Sequence, residues 1–426
     1  MRDIPGPPTQ PDSGLSAIAA AGGLHAYQLD LHDRYGPLVR FQLPGAPSAV
    51  SVADPVLLEA TAAVNARPDK LFEFLAPLCE AGNLQTLPAD EHVPFRRALL
   101  SVLAGRPSHE TCFPAFTALA TELADRWAGM GEVALQQELS ALSLRMICQY
   151  ALGGDIDDPA RVVSAFETVL TVYLGRLHEG DDDLPKAERA LAYLREVVDG
   201  VLAAGGSDLV AALVKAGMTA ARIRDTVLMI MLAAHHTTGV AVSWTLHLLA
   251  RHPEAAARVA VELDDVLGDR PAPSYADLKR LPYLEMALKE SMRLFPPGPY
   301  GARETTEDLT LGGHHIPAGT TIFYPFWAVH LNADHWPDPH AFVPDRFTPE
   351  ASAGRARYAY IPFGLGPRSC EGASLAMVEA ELVLAVLLRR FRFEPVEEHP
   401  VTPVERFVLW AEDDIRMRVR VRRPPG

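Results

Sequence analysis

Residues 231–240 read MLAAHHTTGV and sit inside an apolar run from about Val227 to Ala250. A run of this length has few places to go: a membrane span, or a helix through the middle of a large core. His235, His236, Thr237, Thr238, Ser243 and His247 make it an expensive span, so a buried helix of a soluble protein is expected. Its polar centre is then a metal site or the wall of a reaction groove. Adjacent helical positions point about 100° apart, so His235 and His236 cannot chelate one ion together. His235 is read as structural.

The remaining chain is consistent with a large core. Of 426 residues, 48 % are hydrophobic and 22 % charged, ordinary globular values. A formal net charge of −15 disfavours nucleic acid and anionic membranes as partners. Cys79, Cys112, Cys148 and Cys370 are widely spaced, which fits neither a disulfide framework nor a zinc site and suits a reducing compartment. The N-terminal MRDIPGPPTQPDSG has prolines where a signal peptide needs apolar residues. A cytoplasmic protein without a membrane anchor is expected.

No repeat or linker divides the chain. One domain over 1–426 is expected, mainly α with minor β, with most β structure in 1–65 and 296–426 and a mainly helical 88–295. LVRFQLP and SAVSVA read as strands, 114–150 and 186–204 as helices, and GDDDLP (180–185) as a solvated loop. Ser207 or Asp208 caps a helix start. A last helix is expected over about 372–390, and FVLWAEDDIRMRVRVR alternates as a hairpin would.

The chemistry shows at IPFGLGPRSCEGASLAMVEA (361–380). A thiolate ligand needs close backbone approach, N–H donors and positive potential. Glycines around Cys370 permit a tight turn, and the helix that follows adds the positive end of its dipole. Arg368 is placed to pair with an anionic group. The pattern Phe-Gly-x-Gly-x-Arg-x-Cys-x-Gly, with Phe363, Gly364, Arg368, Cys370 and Gly372, resembles the haem-binding loop of the cytochrome P-450 family, the haem-thiolate monooxygenases. DRYGPLVRF and RETTEDLTLGGHHIPAGT look more like its membrane-bound eukaryotic branch, yet with no anchor read in the sequence a soluble, bacterial-type enzyme is expected.

That resemblance extends along the chain. Glu290 and Arg293 in KESMRLFPP, with Arg346 in FVPDRF, resemble the family's buried Glu-Arg-Arg network, a scaffold for the cysteine loop. His92, Arg96, Arg303 and Arg368 match positions that bind haem propionates. The run at 231–240 is similar to the family's long helix over the haem. Thr237 aligns with the oxygen-side threonine, which holds a proton-delivering water, and Ala233 lies one turn before it. Ala234 stands where glycine is common. His236 stands where an acid is usual, and is read as either a substitute proton relay or a core histidine.

The resemblance implies haem b ligated by Cys370, dioxygen, and NAD(P)H electrons from a separate ferredoxin or flavodoxin with its reductase. Arg96, Arg97, Arg106, Arg355, Arg357 and Arg368 would give a local basic patch for that donor. The substrate regions it implies hold Phe72, Phe74, Leu75, Leu78, Met229, Pro299, Tyr300, Leu409 and Trp410. Their apolar character favours a hydrophobic small molecule, a terpenoid first and a polyketide or fatty acyl compound second, hydroxylated or epoxidised by a monomer. Two alternatives stay open: a non-hydroxylating oxidation (coupling, desaturation, rearrangement or peroxide use), and a haem sensor or carrier without turnover.

Overall fold

The apolar run folds as a single helix of 32 residues, Ala220–Arg251, whose N-cap Thr219 accepts from the Arg222 amide. By length and composition it is long enough to cross a membrane, yet 78 % of its apolar window is buried inside the protein. Val227, Leu228, Met231, Leu232, Val240 and Leu246 are fully enclosed, so it is the core helix of the fold. The computed structural model describes residues 3–79, 81–82, 85–154, 156–176, 183–203 and 207–422. Residues 180–182 of the expected solvated loop lie outside the described residues.

The central helix packs most extensively against Leu135–Leu152, and also against Pro282–Leu294 and Ala373–Arg390. The first contact is close because of Gly239. A Cβ there would stand 2.7 Å from the Ser140 amide nitrogen and 2.8 Å from the Leu139 carbonyl carbon. Gly239→Ala is therefore expected to lower stability by about 1–3 kcal/mol, the usual cost of overpacking. It would appear as a lower denaturant midpoint at unchanged slope. An unshifted midpoint would mean that the two helices separate freely.

Minor sheets tie distant parts of the chain together. Leu38–Leu43 and Ala46–Val52 form an antiparallel hairpin. The second strand pairs in parallel with Thr321–Tyr324, which pairs antiparallel with Gly301–Glu304. The beginning of the chain is thereby bound to the segment before the cysteine loop. Ser207 caps the helix Asp208–Lys215, accepting from the Val210 amide.

The tail departs from the expected hairpin. Val408–Ala411 pairs with Pro403–Arg406. Arg416–Val421 instead joins Phe391–Pro395 and Glu132–Ala134. Both tail segments alternate, but alternation reports a half-buried strand, not its partner. Asp414 breaks the tail between them. It has a positive φ of 67°, and its carboxylate accepts from the Gln136 and Gln137 amides.

Candidate active site at the cysteine loop

The loop before Cys370 folds back on itself. The Cys370 amide donates to the Phe363 carbonyl at 2.8 Å, and the Gly364 amide to that of Ile361 at 2.9 Å. Gly366 has φ +67°, and a Cβ on it would lie 2.0 Å from the Ala62 carbonyl oxygen, so no other residue fits there. Gly372 caps the helix Ala373–Arg390. A Cβ on it would make only an ordinary 3.9 Å contact with the Cys370 sulfur. Burial and then Glu371 push the thiol up to about 11, while a hydrogen bond from the Gly372 backbone pulls the other way.

Cys370 lines a cavity together with Gly372, Leu375, Ala376 and Glu379 of the helix that follows it. The central helix lines the same cavity through Met229, Ile230, Ala233, Ala234, Thr237 and Thr238. Ala233 is exposed and Thr237 half-exposed, although the neighbouring turns are buried. Their exposure is to this internal space. The Thr237 hydroxyl donates to the Ala233 carbonyl at 2.8 Å.

Beside the cysteine, cations converge. Arg96 pairs with Glu371 and donates to Ser369 Oγ at 3.1 Å. Arg368 donates to the Asn65 side chain at 2.8 Å and to the Leu87 carbonyl at 2.7 Å. Arg303 donates to the Ala302 carbonyl. Arg67 is a fourth member, and its Nε is buried without a partner. Burial, then the charges of Arg303 and Arg368, pull Arg67 down to about 9. Burial, then Arg303, pulls Arg368 down to about 10. His92 is fully enclosed, with neither ring nitrogen hydrogen-bonded and Nε2 3.9 Å from Glu371 Oε1. Glu371 thus faces several mutually repelling guanidiniums and an unsatisfied imidazole. Such an excess of donors fits a group that carries carboxylates, as haem does through its propionates.

A second set of polar bonds holds the loop from behind. Arg293 donates Nε to Glu290 Oε2 at 2.7 Å and Nη2 to Glu290 Oε1 at 2.8 Å. Arg346 Nε reaches Glu290 Oε1 at 3.2 Å. Arg293 also donates to the carbonyls of His330, Pro339 and Ala341. His330 accepts from the Ile361 amide at 2.8 Å, and Ile361 holds Gly364. A continuous chain of hydrogen bonds therefore runs from Glu290 to the cysteine turn. Burial, then Arg293, pulls His330 down to about 3, so it is a neutral acceptor.

A family model described as Cytochrome P450 matches residues 192–418. The chain belongs to the cytochrome P450 family. Members carry haem on a cysteine thiolate and use dioxygen with NAD(P)H-derived electrons. This P450 is 41 % identical to cytochrome P450 4c3 of Drosophila melanogaster over 204 residues, 47 % of this chain and 38 % of that protein. It is 43 % identical to human cytochrome P450 4F12 over 192 residues, 44 % and 36 % of the two chains. It is 38 % identical to thromboxane-A synthase of Rattus norvegicus over 185 residues, 43 % and 35 % of the two. The matches span little over a third of these relatives.

Some expected site residues of the P450 are gathered and others are not. Cys370, Gly372, Met229, Ala233 and Thr237 line the cavity. His92, Arg96, Arg303 and Arg368 cluster beside it. His236 does not line it. Its ring turns toward Ser140 Oγ, 3.3 Å away, and stands edge-on to Trp410 at 5.1 Å. Burial, then His235, pulls it down to about 2, so it stays neutral, and its ring faces the Leu135–Leu152 helix. His235 bonds the Met231 carbonyl and stacks on Phe166.

The expected substrate residues are mostly packing. Phe72, Phe74, Leu75, Leu78, Pro299, Tyr300, Leu409 and Trp410 are not among the cavity's lining. Leu75 and Leu78 are core, Leu409 is fully buried, and Tyr300 is bound to Glu405. The lining instead includes Leu99, Leu103, Ile147 and Leu375. These four look in sequence like any other apolar helix positions. Arg67, His330 and Glu371 also join the site without having stood out in the sequence. Glu371 could have been found from its place beside the cysteine; the other two have no local signature.

The basic patch shrinks as well. Arg368 is buried and Arg96 pairs inward, Arg106 is paired with Glu110, and Arg355 stacks over Trp336. Arg97 and Arg357 are exposed.

Proposed function

We propose that this P450 is a monooxygenase that inserts one oxygen atom of dioxygen into an uncharged, hydrophobic small molecule. Cys370 would hold the haem iron through its thiolate, and His92, Arg96, Arg303, Arg368 and Arg67 would hold the propionates. The observation that carries the reading is one cavity lined by both Cys370 and Thr237. Bound haem supplies the oxygen-activating chemistry, which a thiolate ligand favours. Thr237 spends its proton on the Ala233 carbonyl, so its oxygen presents lone pairs to a water in the cavity. Ala233 keeps that part of the wall small.

The lining supports the substrate class. Among the described residues no lysine or arginine lines the cavity, so a substrate carboxylate has no cation to pair with there. A terpenoid or an uncharged polyketide lactone fits better than a free fatty acid. Electrons come from a separate acidic ferredoxin or flavodoxin with its reductase, and exposed Arg97 and Arg357 favour such a donor.

The test is a visible-absorption titration of the ferric protein with terpenes, polyketide lactones and fatty acids. The Soret band is expected to move to the high-spin position with a terpene or lactone, at lower concentration than with any fatty acid. Tightest response to fatty acids would overturn the substrate class. A protein that takes up no haem would overturn the reading itself.

A further inference from the structure

Glu371 puts a carboxylate where the site otherwise gathers cations. It directly follows Cys370 and lines the same cavity, and its side chain is only 12 % exposed. It pairs with Arg96 and lies 3.9 Å from His92 Nε2. The guanidiniums of Arg67, Arg303 and Arg368 are near enough to feel its charge. Holding Arg96 in place does not require it, because Arg96 also donates to Ser369 Oγ at 3.1 Å. In a cluster that fits the carboxylates of haem, a carboxylate of the chain's own competes for the same donors. It therefore costs cofactor affinity, and packing gives no reason for it. What a fixed anion beside the ligand cysteine does supply is a field. Reduction of a haem on Cys370 adds one negative charge to the site. A neighbouring carboxylate opposes that charge, and water screens it little when both are enclosed.

We propose that Glu371 sets the reduction potential of this site: its buried charge, bonded in sequence to the ligand cysteine, holds the haem in its oxidised state against weak donors. The step it governs is the transfer of one electron from the external ferredoxin or flavodoxin. Glu371 itself gains and loses no electron, and no bond to it forms or breaks. Surroundings of this kind, rather than the ligand alone, tune haem potentials. The proposal rests on the haem-thiolate reading above, and its test separates the two.

The readout needs neither substrate nor turnover. It is a spectroelectrochemical titration of the full haem-loaded chain, wild type beside Glu371→Gln and Glu371→Asp. Glutamine keeps the shape and an acceptor for Arg96 while removing the charge. Its one-electron equilibrium should shift toward the reduced form about tenfold, which is a rise of about 59 mV. Aspartate keeps the charge and should stay at the wild-type potential. A merely structural role predicts the opposite grouping, since the shorter aspartate disturbs the Arg96 pair more than glutamine does. That grouping, or an unchanged potential in the glutamine variant, would overturn the proposal. The carbon monoxide difference spectrum should keep its sulfur-ligand band in both variants. A shift that comes with loss of that band belongs to the ligand and overturns the proposal too. Should the glutamine variant fail to fold or to hold haem, Glu371→Ala takes its place, with Arg96 still bound to Ser369, and must show the same rise. A wild-type chain that takes up no haem overturns the haem-thiolate reading and this proposal with it. A loaded chain whose potential ignores residue 371 overturns this proposal alone.

Discussion

Cys370→Ser is expected to fold and to lose the absorption signature of a sulfur-ligated haem, with oxygenation falling below detection. The substitution changes one atom and leaves the turn intact, because the 2.8 Å bond from residue 370 to the Phe363 carbonyl is made by backbone. What changes is the acid. A thiol held at about 11 by burial still yields a thiolate when iron takes its proton's place. A serine hydroxyl in the same pocket starts several pH units higher and does not. None of the other cysteines substitutes: Cys79 and Cys148 are buried, Cys112 half-buried, and none lines the cavity. The check is a visible spectrum of oxidised and reduced protein beside wild type, with circular dichroism for folding. A sulfur-type spectrum in the serine variant would remove Cys370 from the site.

Arg293→Ala is expected to cost about 3–5 kcal/mol, the range for stranding a buried charge. Total stability of a domain is about 5–15 kcal/mol, so the variant should appear largely unfolded or devoid of haem. Replacing the pair together, as Glu290→Leu with Arg293→Met, is a milder change in many proteins. Here it should not rescue, because Arg293 also satisfies the carbonyls of His330, Pro339 and Ala341, and each would be left bare. Arg293→Lys should fail for the same reason, since one ammonium cannot reproduce the planar fork. Denaturant melts of the three variants decide it. A double variant as stable as wild type would show that the network is replaceable packing.

Much of the site is legible in the sequence because it is local. Cys370, its glycines and its helix start stand within a dozen residues, and the central helix announces itself by its apolar length. What is not legible depends on which way a side chain turns. His236 sits one position from Thr237, and that rotation takes it out of the cavity and against Ser140. The apolar residues Leu75, Leu78 and Leu409 have the composition of a substrate pocket and the environment of a core, and composition cannot separate those. Arg67 and His330 come from segments with no motif, drawn in by contacts far along the chain. The tail segments read correctly as strands but pair with other neighbours than expected, since period-2 alternation carries no information about pairing.

The hydrogen bonds of Arg368 reach Asn65 and Leu87, and the strand Thr321–Tyr324 lies beside Ala46–Val52. These contacts set an order of events. Residues near the beginning of the chain wait for partners made hundreds of positions later, and such distant closures are the slow ones. Synthesis runs at about 5–20 residues per second, so the early helices have tens of seconds to pack before Cys370 leaves the ribosome. The pocket is complete only once the segment around Cys370 has met the residues of the early chain, which have had time to pack by then.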